Sequence, residues 1–82
     1  MSDMVARVRS VIAAQGHLAK DVSTLSDSDD LYEIGLSSHA TVNLMLALEN
    51  EFDIEFPDAV LRRSTFQSVE AISVALVSLG AR

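Results

Sequence analysis

The sequence predicts a small all-α domain, a bundle of four helices, three long and one short. Three observations carry that prediction. Apolar residues recur at three- and four-residue steps in three separate stretches, and no stretch has the length and alternation of a strand. Apolar residues also make up 49% of the 82, enough for one modest core. A chain of this size is expected to form a single domain, 1–82, near the lower end of what folds alone.

The first helix is expected from Ser2 or Asp3 to Gln15. Met4, Val5, Val8, Val11 and Ile12 form its apolar stripe, Arg7 and Arg9 fall off it, and Gly16 is placed to end it. His17 follows that end, where the helix dipole modestly favours its protonated form, and it reads as a surface residue. No period is sustained from His17 to Ser37. The Asp, Ser and Thr residues of positions 21–30 are turn and cap formers, while Val22, Leu25, Leu31, Tyr32, Ile34 and Leu36 are spaced to tack an ordered loop onto a core.

Gly35-Leu36-Ser37-Ser38 then precedes an apolar-rich, breaker-free run that reaches Phe52. Serine is a favoured N-cap and glycine permits the turn before it, so one of the two serines should meet a helix end with unpaired N–H groups and a positive dipole. A phosphate ester on such a hydroxyl would be held electrostatically. The second helix is expected over about Ser38 to Asp53, with Leu44, Met45, Leu48 and Phe52 as its buried stripe. Val42 and Leu46 lie about 100° or more from the centre of that stripe and form an exposed docking strip beside Ser38. His39, near the same positive end, is expected to resist protonation and to be a partner contact or a plain exposed residue.

Ile54 and Phe56 are expected to turn inward, and Pro57 suits the first turn of a short third helix through Asp58-Ala59-Val60-Leu61. Arg62-Arg63 closes it; the charges suit a helix C-terminus, and as paired cations they are also candidates for a partner surface. Ser64 and Gln67 have the spacing of a capping box at the start of the last helix. Val69, Ile72, Val74, Ala75, Leu76 and Leu79 are its expected buried face, and Gly80 its end.

The composition narrows the chemistry. Formal net charge is −6, and residues 21–58 hold ten carboxylates with no lysine or arginine. Such a field repels nucleic acid and anionic membranes and steers basic partners inward. There is no cysteine, so the chain offers neither a disulfide nor a thiolate zinc site. Asp27, Asp29 and Asp30 do not make a calcium loop, because Leu31, Tyr32 and Ser38 stand where a ligand, a glycine and a glutamate are needed. Gly35-Leu36-Ser37-Ser38-His39 lacks the second glycine of a nucleophile elbow, and Ser38 and His39 splay about 100° apart on a helix. No catalytic group and no metal site is therefore expected. No apolar run of about 18 residues and no signal-peptide core occurs, which reads as a cytoplasmic protein.

Ile34-Gly35-Leu36-Ser37-Ser38, followed by Thr41 through Pro57, resembles the acyl carrier protein family, and the likeness extends over nearly the whole chain. It implies a 4′-phosphopantetheine arm, taken from coenzyme A by a phosphopantetheinyl transferase and attached to Ser38, the position of the serine in the family's Gly-x-Asp-Ser-Leu motif. The arm's thiol would hold an acyl or aminoacyl cargo as a thioester, on a monomeric carrier that is not itself an enzyme. Ser37 replaces the usual aspartate, His39 the usual leucine, and Ala40 and Asn43 are neutral where carboxylates are common. With the segments Leu46 to Glu49 and Phe52 to Pro57, this altered motif is similar to small bacterial carriers loaded with amino acids by truncated homologues of class II aminoacyl-tRNA synthetases. The resemblance implies a dedicated cargo-loading ligase, with Ser37, His39, Val42, Asn43, Leu46, Arg62 and Arg63 facing partners. Two alternatives stay open at this point. One is a discrete carrier of fatty-acid, polyketide or nonribosomal peptide synthesis; the other is an unmodified helical interaction module that binds through Val42 and Leu46.

Overall fold

Met4, Val8, Val11 and Ile12 converge with Leu44 and Leu48 and with Val69, Ile72 and Leu76 in one buried cluster, supplied by three helices. The structure is a computed structural model that describes residues 2–15, 18 and 21–81. Helix α1 spans Ser2–Gln15, α2 Ser38–Phe52 and α3 Val69–Ser78, and α1 packs against both of the others. Three 3-10 turns, Val22–Thr24, Asp58–Val60 and Arg63–Phe66, lie in the connections, and no strand occurs among the described residues. The first two helices have the expected stripes, with Ala40 added to the buried face of α2. The expected roles of Gly16 and His17 lie outside the described residues.

The long connection is ordered by its apolar anchors and by an arginine of α1. Val22, Leu25, Leu31 and Leu36 are buried, and Tyr32 and Ile34 are half-buried. Arg9 is off the apolar stripe of α1, yet its guanidinium donates to the carbonyls of Val22 and Leu25, each at 2.7 Å, and pairs with Asp27 at 2.6 Å. It clamps the loop to α1 by giving buried carbonyls a donor. Arg7 bridges α1 to the end of α2, pairing with Glu51 at 3.2 Å and lying 4.3 Å from the Phe52 ring centre. Asp21 caps the first 3-10 turn; hydrogen bonds from the Ser23 amide and hydroxyl hold its carboxyl below the usual value.

The C-terminal third departs from expectation in three ways. The expected short third helix is only the 3-10 turn Asp58–Val60 after Pro57, and Arg62 is extended (φ −142°, ψ 160°), which prevents continuation, so three α-helices occur among the described residues. The last helix does not begin at Ser64. Its N-cap is Ser68, whose hydroxyl accepts from the Ala71 amide at 3.0 Å. The Gln67 side-chain amide instead donates to the Asp30 carboxylate at 3.2 Å and its carbonyl accepts from the Leu31 amide at 2.7 Å, so Gln67 is tied to the loop and its capping-box spacing with Ser64 goes unused. Finally, Val74 is 56% exposed and Ser73 is buried. The buried face runs Val69, Ile72, Ser73 and Leu76; Val74, about 140° around the helix from Val69, points away from it.

The ends of α2 and α3 are closed by backbone geometry. Asp53 takes the left-handed conformation at φ +52°, and the Ile54 amide donates back to the Glu49 carbonyl at 3.2 Å. The Glu49 carboxylate accepts from the Phe56 amide at 2.8 Å, holding the chain so that Phe56 meets Phe66 edge-on with ring centres 5.3 Å apart. Gly80 plays the left-handed role after α3 at φ +86°. Its amide donates to Val77 and that of Ala81 to Leu76, both at 3.0 Å.

Two substitutions test this core. Leu48 is fully buried, and Leu48→Ala is expected to lower unfolding free energy in urea by about 2–5 kcal/mol. The Ser73 hydroxyl is buried and has no hydrogen-bond partner among the described residues, so Ser73→Ala is expected to raise it by about 1 kcal/mol.

Candidate functional site

Gly35 sits at φ +116°, a backbone conformation that a side chain would strain. That conformation turns the chain back, so that the Leu36 amide donates to the Leu31 carbonyl at 3.0 Å and Leu36 drops into the core. Ser37 follows with extended backbone (φ −82°, ψ 168°) as the N-cap of α2, its hydroxyl accepting from the Ala40 amide at 3.0 Å. The Ser37 carbonyl accepts from the Thr41 amide and hydroxyl, both at 2.8 Å. Ser38 is thus the first residue of the helix proper. It is exposed, and among the described residues its hydroxyl makes no hydrogen bond. The two adjacent serines have separate tasks.

Ser38 stands at the edge of an open groove of about 420 Å³. Val42, Leu61 and Phe66 give it apolar surface, and Tyr32, Thr41, Arg62 and Arg63 complete its lining. Arg63 stacks 4.0 Å from the Tyr32 ring centre, and the Thr41 hydroxyl lies 3.4 Å from the Tyr32 hydroxyl. The 3-10 turn of Arg63–Phe66 is thereby tied to the loop and to α2 across the groove. No carboxylate is among the described residues that line it.

Of the residues singled out from the sequence, the structure brings Ser38, Val42, Arg62 and Arg63 to this groove. Leu46 lies one turn beyond Val42; the two are 53% and 52% exposed, as the strip prediction requires. His39 is exposed and Asn43 half-buried, and neither lines the groove. The Ser37 hydroxyl is engaged as the cap. Tyr32, Thr41, Leu61 and Phe66 were not anticipated as site residues. Tyr32 offered one signal, being the single tyrosine in the chain and an amphipathic side chain suited to a groove edge.

The residues fit a phosphate ester. An exposed, unengaged hydroxyl on the first residue of a fifteen-residue helix meets the positive end of the dipole, with two guanidinium groups on the adjoining groove and no acidic residue in the first turn.

Comparison with known proteins agrees with this chemistry. Residues 6–76 match the family described as the phosphopantetheine attachment site. An aminoacyl carrier protein of Agrobacterium fabrum is 51% identical over 69 residues, which are 84% of this chain and 83% of that protein. A chain in the crystal structure of an engineered Bradyrhizobium japonicum glycine:carrier protein ligase, complexed with a carrier protein from Agrobacterium tumefaciens and ATP, superposes with a TM-score of 0.88. It is 47% identical, and the match covers 92% of this chain and 97% of that one. A chain of the Bradyrhizobium japonicum ligase complexed with glycylated carrier protein matches at a TM-score of 0.76 and 29% identity, over 88% of this chain and 96% of that one.

The division between the serines has a stability signature. Ser37→Ala removes the cap and is expected to lower unfolding free energy by about 1 kcal/mol. Ser38→Ala removes an exposed hydroxyl with no partner and should stay within about 0.5 kcal/mol of the parent in the same urea titration.

Proposed function

Because the chain belongs to the phosphopantetheine attachment family, and within it to the aminoacyl carrier proteins, we propose that Ser38 Oγ is the point of attachment of a 4′-phosphopantetheine arm. The single observation that carries this reading is the hydroxyl of Ser38, exposed and unengaged at the head of α2 while Ser37 does the capping. The chain has no cysteine, and the arm supplies the thiol on which an aminoacyl group is held as a thioester.

The residues around Ser38 have defined parts. Ser37 fixes the first turn through the Ala40 amide, which sets the direction in which Ser38 projects. The first amides of α2 have no helical carbonyl to pair with, and with the dipole they favour the negative charge of a phosphodiester. Arg62 and Arg63 add positive charge on the groove side. Val42 and Leu46, four residues apart and half-exposed, are the apolar strip on which partners dock, with His39 and Asn43 at its flank.

Two partners follow from this reading: a phosphopantetheinyl transferase that installs the arm, and an amino acid:carrier protein ligase of the class II aminoacyl-tRNA synthetase type that loads it. The relatives support the second, since structural neighbours are carrier proteins in complex with a glycine:carrier protein ligase, one of them glycylated. In this reading residues 1–82 act as one cytoplasmic, monomeric carrier domain and the protein is not itself an enzyme. No helix among the described residues is long and apolar enough to cross a membrane.

Intact mass after incubation with coenzyme A and a broad-specificity transferase tests the attachment. The protein is expected to gain one phosphopantetheinyl group, Ser37→Ala to gain it as well, and Ser38→Ala to gain none. A parent protein that stays unmodified, or a gain that survives Ser38→Ala, would overturn the assignment.

A further inference from the structure

We propose that Arg62 and Arg63 make the groove beside Ser38 selective for the charge of the cargo, admitting neutral acyl groups and turning away protonated aminoacyl groups. The inference rests on the Ser38 tether proposed above and concerns what the groove does to the far end of that tether. Any group tethered to Ser38 is held at high local concentration next to the groove, because Ser38 itself stands on its edge. Val42, Leu61 and Phe66 offer that group an apolar surface, so an uncharged acyl end has reason to fold back onto it.

An aminoacyl end differs in one respect. It carries an α-amine of the class that titrates at about 7.7–8.0, so at neutral pH it is mostly an ammonium. Inside the groove it would meet two guanidinium groups. The Arg63 guanidinium is fixed over the Tyr32 ring, which also occupies the aromatic face an ammonium would otherwise use. The Arg62 guanidinium has no ion-pair or hydrogen-bond partner among the described residues. No carboxylate is among the described residues that line the groove, although the chain as a whole is strongly acidic. Like charges with no counter-ion disfavour the folded-back state, and the charged end stays in solvent, where a partner can take it.

The chain supplies its own reporter, since Tyr32 is the single tyrosine and there is no tryptophan. Ser38 is modified with arms ending in acetyl, glycyl and N-acetylglycyl groups, each joined through a hydrolysis-resistant amide. Tyr32 emission and the methyl NMR shifts of Val42 and Leu61 are then read at about pH 6.5, below the α-amino range. The acetyl and N-acetylglycyl arms are expected to move these signals. The glycyl arm should move them by about a tenth as much, the ratio that about 1.4 kcal/mol of repulsion gives. Arg62→Gln, which breaks no described side-chain contact, should raise the glycyl response part of the way, and the Arg62→Gln, Arg63→Gln pair should raise it to the acetyl level.

Equal responses to glycyl and acetyl arms in the parent, no response to any arm, or a difference undiminished in both variants would each overturn the proposal. Failure of Ser38 to accept any arm, seen first by intact mass, would instead strike at the attachment site itself.

Discussion

One hydrogen bond, from the Ala40 amide to the Ser37 hydroxyl, decides which atom of this protein is available for chemistry. A helix start needs a cap, and serine at either of two adjacent positions could have provided it. Were Ser38 the cap, its oxygen would point back into the helix end. The left-handed Gly35 and the burial of Leu36 set the phase of the chain so that Ser37 arrives extended at the cap position and Ser38 one residue later, as the first residue of the helix. The free hydroxyl is a consequence of its neighbour's engagement.

The magnitudes separate what holds the helix from what aims the serine. Full burial of Leu44, Leu48 and Phe52 contributes on the order of 1.5–3 kcal/mol each, whereas a cap contributes about 1 kcal/mol. Burial therefore determines that α2 exists and which face it turns inward. The cap is too weak to create the helix but strong enough to choose its first residue. The same helix then serves two surfaces, a buried stripe through Ala40, Leu44, Leu48 and Phe52 and an outward strip through Val42 and Leu46. Because both are fixed by one 3.6-residue period, burial of the first stripe also determines that the second faces outward.

How much of this was legible in the sequence depended on the range of the interactions. Helices α1 and α2 were, because their apolar stripes are local. The exposed strip of Val42 and Leu46 followed from the same period. The C-terminal third was not, because there a local signal met a distant competitor: the Ser64 and Gln67 spacing was overridden when Asp30 took the Gln67 side chain and the Leu31 amide its carbonyl. Helix α3 starts at Val69, and Val74 lies about 140° around it from Val69, off the face of Ile72, Ser73 and Leu76. Arg9 shows the same limit, since nothing in its position on α1 announces that its guanidinium serves carbonyls of a loop thirteen and sixteen residues away. The groove was hidden for this reason as well. Tyr32, Thr41, Leu61 and Phe66 come from separate segments, and only the folded chain gathers them beside Ser38.

The departure of this chain from the Gly-x-Asp-Ser-Leu pattern then has a physical reading. Serine and aspartate cap helices about equally well, so Ser37 keeps the geometry that an aspartate would give. What changes is charge: no carboxylate stands beside Ser38, and the first turn of α2 contains none. With Ala40 and Asn43 also neutral and two arginines on the neighbouring groove, the surface around Ser38 is locally positive or neutral in a chain of net charge −6. A partner that finds its carrier by a basic patch placed against that serine would meet repulsion. One that contacts Val42 and Leu46 through apolar surface would not. Fold and attachment chemistry can thus be held constant while the choice of partner is altered, because the cap tolerates an exchange that the electrostatics does not.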